Sequence, residues 1–202
     1  MKKSKCISGL KSIAAIAVLL FGCMIIGDSS FVSQAEDTEN VELDEDGFVY
    51  GDFRYGEGSR GAYITAYKGT DTVVTIPAAI GDLPVIEIYS EAFKDNTTLT
   101  SVSFPPCLEE IGKNAFDGCS SLETVEFRNA DDNVTEAEKL VFYEYAFANC
   151  GNLREIEFPE YTTEIGDYAF VSCGFDEAVV LPESVKELGQ YAFSKCTDLT
   201  QI

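Results

Sequence analysis

Four cysteines occupy one position of a repeated sequence, and their thiols are the first candidates for chemistry in this chain. A thiolate can act as a nucleophile or a metal ligand, but the chain has no histidine to activate it. Spacings of 23 residues or more also differ from the close ligand pairs of zinc sites. We therefore expect an inward-facing structural ladder that meets backbone polar groups at a turn, rather than disulfides or a metal site, formed by Asn96, Cys119, Cys150, Cys173 and Cys196.

The carboxylates are the remaining candidates for catalysis, because the absence of histidine removes the commonest general base and the Ser-His-Asp and Cys-His pairs. Glu155 and Glu157 are two residues apart on a predicted strand, about 6–7 Å between Cα atoms. Such a pair is similar to that of a glycosidase, but no cleft is expected there. The run 44–47 lacks the alternating ligands of a calcium loop. We predict no catalytic residue, no metal and no cofactor, and a protein that is not an enzyme.

Three tyrosines form a candidate binding surface. Tyr145, Tyr168 and Tyr191 each precede an Ala-Phe pair at the same repeat position, so they should stack as a stripe across adjacent copies. Tyrosine suits interfaces because it combines a large apolar ring with a polar end. Two interpretations remain open: a stripe that contacts a partner, or a structural ladder that covers the edge of the core.

The charge balance limits the partners. The chain has 14 Lys and Arg against 35 Asp and Glu, a net charge of −21. Binding to nucleic acid or to an anionic membrane therefore has no electrostatic basis. The outward positions of the predicted main strands, from Ser101 to Val180, show no aromatic or basic cluster. We predict that this face is plain solvated surface.

An internal repeat defines the elements that must carry these side chains. The Ala-Phe pair recurs at intervals of 23, 31, 23 and 23 residues, with its phenylalanines at Phe93, Phe116, Phe147, Phe170 and Phe193. Each unit also has a strand signal such as Leu122 to Phe127. A 23-residue unit cannot bury its apolar side alone, so stacked copies are expected to form a solenoid. The longer interval corresponds to an eight-residue insertion within the acidic segment 128–139, which we expect to be a loop.

The unit LxxVxFPxxLxxIGxxAFxxC resembles the BspA-like branch of leucine-rich repeats of bacterial surface and secreted proteins, over residues 73–202. The resemblance implies a mostly β, leucine-rich-repeat solenoid of ~23-residue repeats. It also implies a β-rich N-terminal cap at residues 47–72, with strands around Phe48 to Tyr55 and Ala62 to Tyr67. The family's association with extracellular-matrix proteins suggests adhesion as the function.

The N-terminus is typical of an export signal. Four lysines precede an apolar run at residues 13–26, and Ser33-Gln34-Ala35 forms a small-x-small cleavage site. Cleavage before Glu36 would change the net charge from −21 to −24 and would leave no membrane segment in the mature form. The alternative is a lipid anchor at Cys23, although Phe21 and the apolar residues after Cys23 fit that motif less well.

The predicted organisation is a signal peptide (1–35), an acidic linker (36–46), a cap (47–72) and five repeats (73–202) without a C-terminal cap. The predicted function is a secreted or cell-surface module that binds an extracellular protein or glycan, exported as in Gram-positive bacteria. One alternative is that these residues lead a longer secreted protein whose activity lies beyond residue 202. The other is a structural protein of the cell envelope.

Overall fold

The computed structural model describes residues 42–44, 47–130 and 136–202, and the regular secondary structure of this part consists of β-strands joined by turns. The strands stack coil upon coil into a β-solenoid of about five turns. None of the described residues forms a helix that is both long and apolar enough to cross a membrane. The predicted signal peptide lies outside the described residues, as does most of the predicted linker.

The larger sheet runs from the cap through all the coils. In sheet order its strands are β1 Glu42–Asp44, β2 Gly47–Tyr50, β3 Phe53–Glu57, β4 Ala62–Tyr67, β7 Leu83–Ile88, β9 Glu110–Ile111, β11 Leu140–Phe142, β12 Thr162–Ile165 and β13 Glu187–Leu188. A short strand, β6 Ala79–Ile80, pairs with β7. The first four strands are antiparallel neighbours, and from β4 onward the path is parallel.

The smaller sheet has three parallel strands, β5 (Val73–Thr75), β8 (Ser101–Phe104) and β10 (Thr124–Phe127). The register aligns Val74, Val102 and Val125, all of which are buried. Their alternation with exposed or half-buried neighbours is that of a sheet with one face on the core. The repeat period therefore places equivalent side chains directly above one another.

A ladder of aromatic rings fills the centre of the solenoid. The rings of neighbouring Ala-Phe pairs stack with centroids 4.7–5.4 Å apart and interplanar angles of 2–14°. Tyr67 of the cap extends the ladder by stacking on Phe93 at 5.2 Å. The alanine of each pair is buried as well, and its small side chain leaves room for the neighbouring coil. The cap thus covers the first ring of the core.

Each coil turns through two residues with left-handed backbone conformations, one before and one after the Ala-Phe pair. The first series has φ between 55° and 64° and comprises Glu91, Asn114, Tyr145, Tyr168 and Tyr191. The second series has φ between 58° and 78° and comprises Asp95, Gly118, Asn149, Ser172 and Lys195. Only some of these positions use Gly, Asn or Asp, which tolerate this region best. The turns of the later coils therefore carry backbone strain.

Close contact between coils explains the glycine that follows the apolar residue of β9 and β12. A Cβ on Gly112 would lie 2.8 Å from the Ser90 nitrogen, and one on Gly166 would lie 2.9 Å from the Glu144 nitrogen. Any side chain would push these coils apart. Two coils instead have a tyrosine at this position, Tyr89 and Tyr143.

One segment differs from the sequence-based expectation, and a second packs more closely than a loop requires. The sequence predicts a linker at residues 42–44, but they pair with β2 as β1, with Leu43 in register with Phe48. The described residues of the insertion have no regular secondary structure, as expected of a loop, and part of it packs on the solenoid. Ala137 is buried and its N–H donates to the Pro106 carbonyl at 2.8 Å. The acidic residues Asp131 and Asp132 lie outside the described residues.

Candidate functional site

The tyrosine stripe consists of Tyr145, Tyr168 and Tyr191. Tyr145 and Tyr168 stack with centroids 5.0 Å apart and an interplanar angle of 2°, and Tyr168 and Tyr191 stack at 5.2 Å and 22°. Tyr191 is 62% exposed, and the other two are half-buried. The stripe therefore presents a continuous aromatic strip to solvent.

The stripe is held at the strained turn before each Ala-Phe pair. Its three residues have φ of 57–59°, a region in which a bulky side chain is uncommon and costly. The same turn in the second coil uses Asn114, and in the first coil Glu91, which pairs with Lys94 at 2.9 Å. Asparagine would satisfy the backbone at lower cost, so the tyrosines are not there for the turn alone.

The environment of Tyr168 reflects the stacking. Desolvation raises the pKa of Tyr168, and the neighbouring Tyr145 and Tyr191 raise that pKa further. The phenol therefore stays protonated at neutral pH and can donate a hydrogen bond. A row of phenol groups beside flat rings can bind a polar, planar or carbohydrate-like surface.

The cysteine ladder faces the core. Each thiol donates to the carbonyl oxygen of the phenylalanine in the preceding coil, over Sγ–O distances of 3.1, 3.3, 3.2 and 3.2 Å, for Cys119, Cys150, Cys173 and Cys196 in that order. In the first coil the Asn96 Oδ1 atom instead accepts from the backbone N–H groups of Thr98 and Leu99, both at 3.0 Å. The ladder thus satisfies backbone groups at one turn of each coil.

These thiols are poor nucleophiles in the folded chain. Burial raises the pKa of Cys119, and a hydrogen bond with Cys173 together with burial raises the pKa of Cys150. Cys107 is also buried, with its Sγ atom 3.4 Å from the Val85 carbonyl oxygen. All five described cysteines are free thiols. Within the described part of the chain, no group of three or more Cys, Asp or Glu residues is placed to hold a metal ion.

The smaller sheet stops at β10, although the sequence predicts a further strand at Leu153 to Phe158. Residues 154–158 lie beside β10 without forming a ladder with it. Among the described residues, the backbone groups of Val125 and Phe127 make no hydrogen bond to this segment. The next coil likewise makes no backbone bond to residues 154–158, whereas Val179 bonds to the Gln201 carbonyl at 2.9 Å. Within the described part of the chain, neither edge of residues 154–158 therefore pairs with a neighbouring strand.

Phe142 lies in the core beneath this separation. The first, second and fourth coils have isoleucine at its position, and the fifth has leucine. Its ring meets Phe127 at 6.1 Å and 76°, and Phe158 at 5.5 Å and 83°. In the paired strands β8 and β10, by contrast, Phe104 and Phe127 contact each other directly at 5.2 Å. The larger ring of Phe142 thus lies between the rings of Phe127 and Phe158.

The separation leaves an acidic groove of about 520 Å³ between β10 and residues 154–158. Its floor is apolar, with Val125, Ile156 and Phe158 buried. Five carboxylates line it, from Glu126, Glu136, Glu155, Glu157 and Glu160. A second groove of about 330 Å³ lies on the other side of residues 154–158.

The guanidinium group of Arg128 lies at the end of this acidic groove and bonds to the backbone. Its Nε atom donates to the Phe104 carbonyl at 3.2 Å, and its Nη2 atom donates to the Ile76 carbonyl at 2.5 Å. Arg128 thus links its own coil to the two preceding ones, which contain Phe104 and Ile76. The groove was not predicted from the sequence, although Phe142 at an isoleucine position next to the insertion was an available signal.

The comparisons with known proteins agree with this architecture. A family model described as a BspA type leucine rich repeat region (6 copies) matches residues 141–202. A crystal structure of a T. pallidum leucine-rich repeat protein is 37% identical with a TM-score of 0.66, and the match covers 74% of this chain and 67% of that one. No protein with a curated description matches the sequence.

Two further solved structures share the fold. A leucine-rich repeat protein from Bacteroides ovatus is 29% identical with a TM-score of 0.62, over 76% of this chain and 40% of that one. A leucine-rich repeat protein from Bacteroides capillosus is 25% identical with a TM-score of 0.52, over 78% of this chain and 97% of that one. The predicted repeat fold is confirmed, and the chain belongs to the BspA-type leucine-rich repeat family.

Proposed function

We propose that this protein is an exported bacterial binding module that attaches to an extracellular protein or glycan through the tyrosine stripe. The observation that carries the proposal is the retention of Tyr145, Tyr168 and Tyr191 at strained left-handed turns, where they stack and face solvent. Strain of this kind is kept where the side chain has a use. Rigid, amphipathic tyrosines provide contact area with little loss of conformational entropy.

Binding rather than catalysis is the function that the side chains support. Four of the five described thiols are buried and that of Cys196 is half-buried. Their pKa values are raised where a shift is resolved, and the chain has no histidine. The exposed groups are carboxylates, tyrosines and a few cations, which suit recognition. We therefore propose a non-enzymatic role at the cell surface or in the medium.

Export rests on the basic and apolar N-terminal residues and on the small-x-small site before Glu36. Expression in a Gram-positive host followed by N-terminal sequencing of the exported protein tests this. A new terminus at Glu36 supports secretion by cleavage, whereas an acylated Cys23 would replace it with a lipid-anchored form. A protein retained in the cytoplasm with Met1 intact would contradict export.

The binding experiment uses a panel of immobilised extracellular-matrix proteins and glycans. We expect saturable binding by the native protein and loss of at least tenfold in affinity when all three stripe tyrosines are replaced by serine. The control replaces the exposed Tyr89, which lies at a different repeat position, by serine. If the triple variant bound with the affinity of the native protein, the tyrosine stripe would not be the binding surface. Retention at the cell surface without binding to any member of the panel would favour a structural envelope role.

A further inference from the structure

We propose that the acidic groove binds a basic, extended peptide segment of a partner protein, which adds a strand to the open edge of β10. The groove uses none of the tyrosine-stripe residues, so the inference goes beyond the function proposed above. It also assigns a role to a face that the sequence predicts to be plain solvated surface.

The backbone of β10 provides half of the recognition. Thr124 and Arg128 donate their N–H groups back to the Thr100 and Phe104 carbonyls of the preceding coil. Because the backbone groups of alternate residues point to opposite sides of a strand, those of Val125 and Phe127 face the groove. An open edge of this kind is a template for an added strand. An extended peptide can bond to both residues at once.

The groove also discriminates between side chains. Successive side chains of an added strand point to opposite faces. One set would lie on the buried floor formed by Val125, Ile156 and Phe158, where small apolar residues fit. The other set would point to the outer face, where the exposed carboxylates of Glu126, Glu155 and Glu157 lie. The partner segment therefore alternates small apolar residues with lysine or arginine.

Charge complementarity identifies the partner as cationic. Five glutamates line the groove against one arginine, Arg128, whose guanidinium group already donates to two carbonyl oxygens. Carboxylates on an exposed rim speed the approach of a basic partner, and this effect weakens with added salt. A protein strand matches both the charge and the open backbone edge, whereas a simple polycation matches the charge alone.

The test titrates the full chain with a fluorescent eight-residue peptide of alternating valine and lysine. We expect saturable binding, together with slower amide exchange at Val125 and Phe127. The same peptide with N-methyl groups on alternate backbone nitrogens keeps its charge but loses the strand hydrogen bonds, and its affinity should fall about tenfold or more. A valine–glutamate peptide should not bind.

Matched variants locate the site. E155Q/E157Q should weaken binding of the valine–lysine peptide about fivefold or more, and E164Q/E187Q, with the same loss of charge on the larger sheet, should leave it unchanged. Equal binding of the native and N-methylated peptides would reduce the groove to a simple cation site and overturn the proposal. Equal loss in both double variants, or unchanged exchange at Val125 and Phe127, would overturn it too. Replacing the three stripe tyrosines by serine should leave peptide binding intact, so failure of the stripe proposal and failure of this one are distinguishable.

Discussion

Phe142 lies between Phe127 and Phe158, with its ring edge-to-face on both at centroid distances of 6.1 and 5.5 Å. In a regular stack, the rings of successive main strands meet each other directly, as Phe104 and Phe127 do. We expect this larger side chain on the larger sheet to hold residues 154–158 away from β10.

Replacing Phe142 by isoleucine should allow residues 154–158 to move towards β10. Isoleucine is the residue of the first, second and fourth coils at this position, so the repeat geometry accommodates it. We expect slower amide exchange at Val125 and Phe127 and weaker binding of a strand-forming peptide. Loss of the four ring contacts that Phe142 makes should cost about 2 kcal/mol or more in unfolding free energy, partly offset by new backbone bonds. Amide exchange measured by NMR checks this.

The control for that experiment is Phe147→Ile, which also exchanges a buried phenylalanine for isoleucine but lies in the central ring ladder. It should destabilise the protein without slowing exchange at Val125 or Phe127. If F142I left exchange at these two amides unchanged, the ring would not be the cause of the separation.

The central ladder should carry much of the stability of the solenoid. Phe147 is buried and stacks on Phe116 at 4.8 Å and on Phe170 at 5.4 Å. Phe147→Ala should therefore lower the free energy of unfolding by about 3–5 kcal/mol, which urea denaturation measures. Val180→Ala, at a residue 77% exposed, should change it by no more than about 0.5 kcal/mol. Similar losses in both variants would contradict a stability based on the ladder.

The repeat explains why the fold could be predicted from the sequence. The 23-residue period places Ala92, Ala115 and their equivalents at one point of each coil, and a stacked core is the way for such short units to bury apolar surface. The alternation from Leu99 to Phe104 correctly indicated β8. These predictions depend on local pattern and period, which are visible in one sequence.

The open edge could not be predicted in the same way, because it depends on the sizes of residues that meet across coils. The strand signal at Leu153 to Phe158 is as strong as that of β8, yet no ladder forms there. The pattern is local, whereas the outcome is decided by Phe142 packing between rings that are 15 and 16 residues away in sequence. The strain at Tyr168 was also invisible, since no rule of composition predicts a left-handed tyrosine.

The buried thiols should make the protein less stable at alkaline pH. Burial raises the pKa of Cys119 above its ordinary value of 9.0, and the pKa of Cys150 is raised as well. The unfolded chain therefore loses these protons first as pH rises. The stabilising contribution is fully present below about pH 8 and declines above pH 9 by about 1.4 kcal/mol per pH unit for each thiol. Urea denaturation from pH 7 to pH 10 measures the slope.

Tyrosines also ionise near pH 10, so the pH dependence of the unfolding free energy must be compared with that of a variant that lacks one thiol. Cys119→Ala removes one thiol and should give a shallower decline of stability with pH. Site-resolved alkylation provides an independent check: Cys196, which is only half-buried, should react before Cys119 and Cys150. If the free energy of unfolding fell equally steeply with pH in the native protein and in C119A, the Cys119 thiol would not contribute to the alkaline loss of stability.

Tyr168 should be replaceable by asparagine at little cost in stability, because two effects oppose each other. The substitution loses the ring contacts to Tyr145 and Tyr191. Each contact contributes about 0.5–1.5 kcal/mol, and the lower end of this range applies to a partly exposed surface. It also relieves the left-handed strain at φ 57°, which costs a bulky residue about 1–2 kcal/mol. We expect a net change of about 1 kcal/mol or less by urea denaturation, together with weaker partner binding.

The reverse substitution, Asn114→Tyr, tests the same balance in the second coil. Asn114 has φ 55° and lies one coil before Tyr145, so a tyrosine there should lengthen the stripe at a cost of about 1 kcal/mol. Partner binding should be retained or strengthened, as measured on the same immobilised panel. A loss of more than about 2 kcal/mol in Y168N with binding unchanged would make the stripe a structural cover of the core edge rather than a contact surface. If Y168N instead kept the stability of the native protein and lost partner binding, the stripe would be a contact surface.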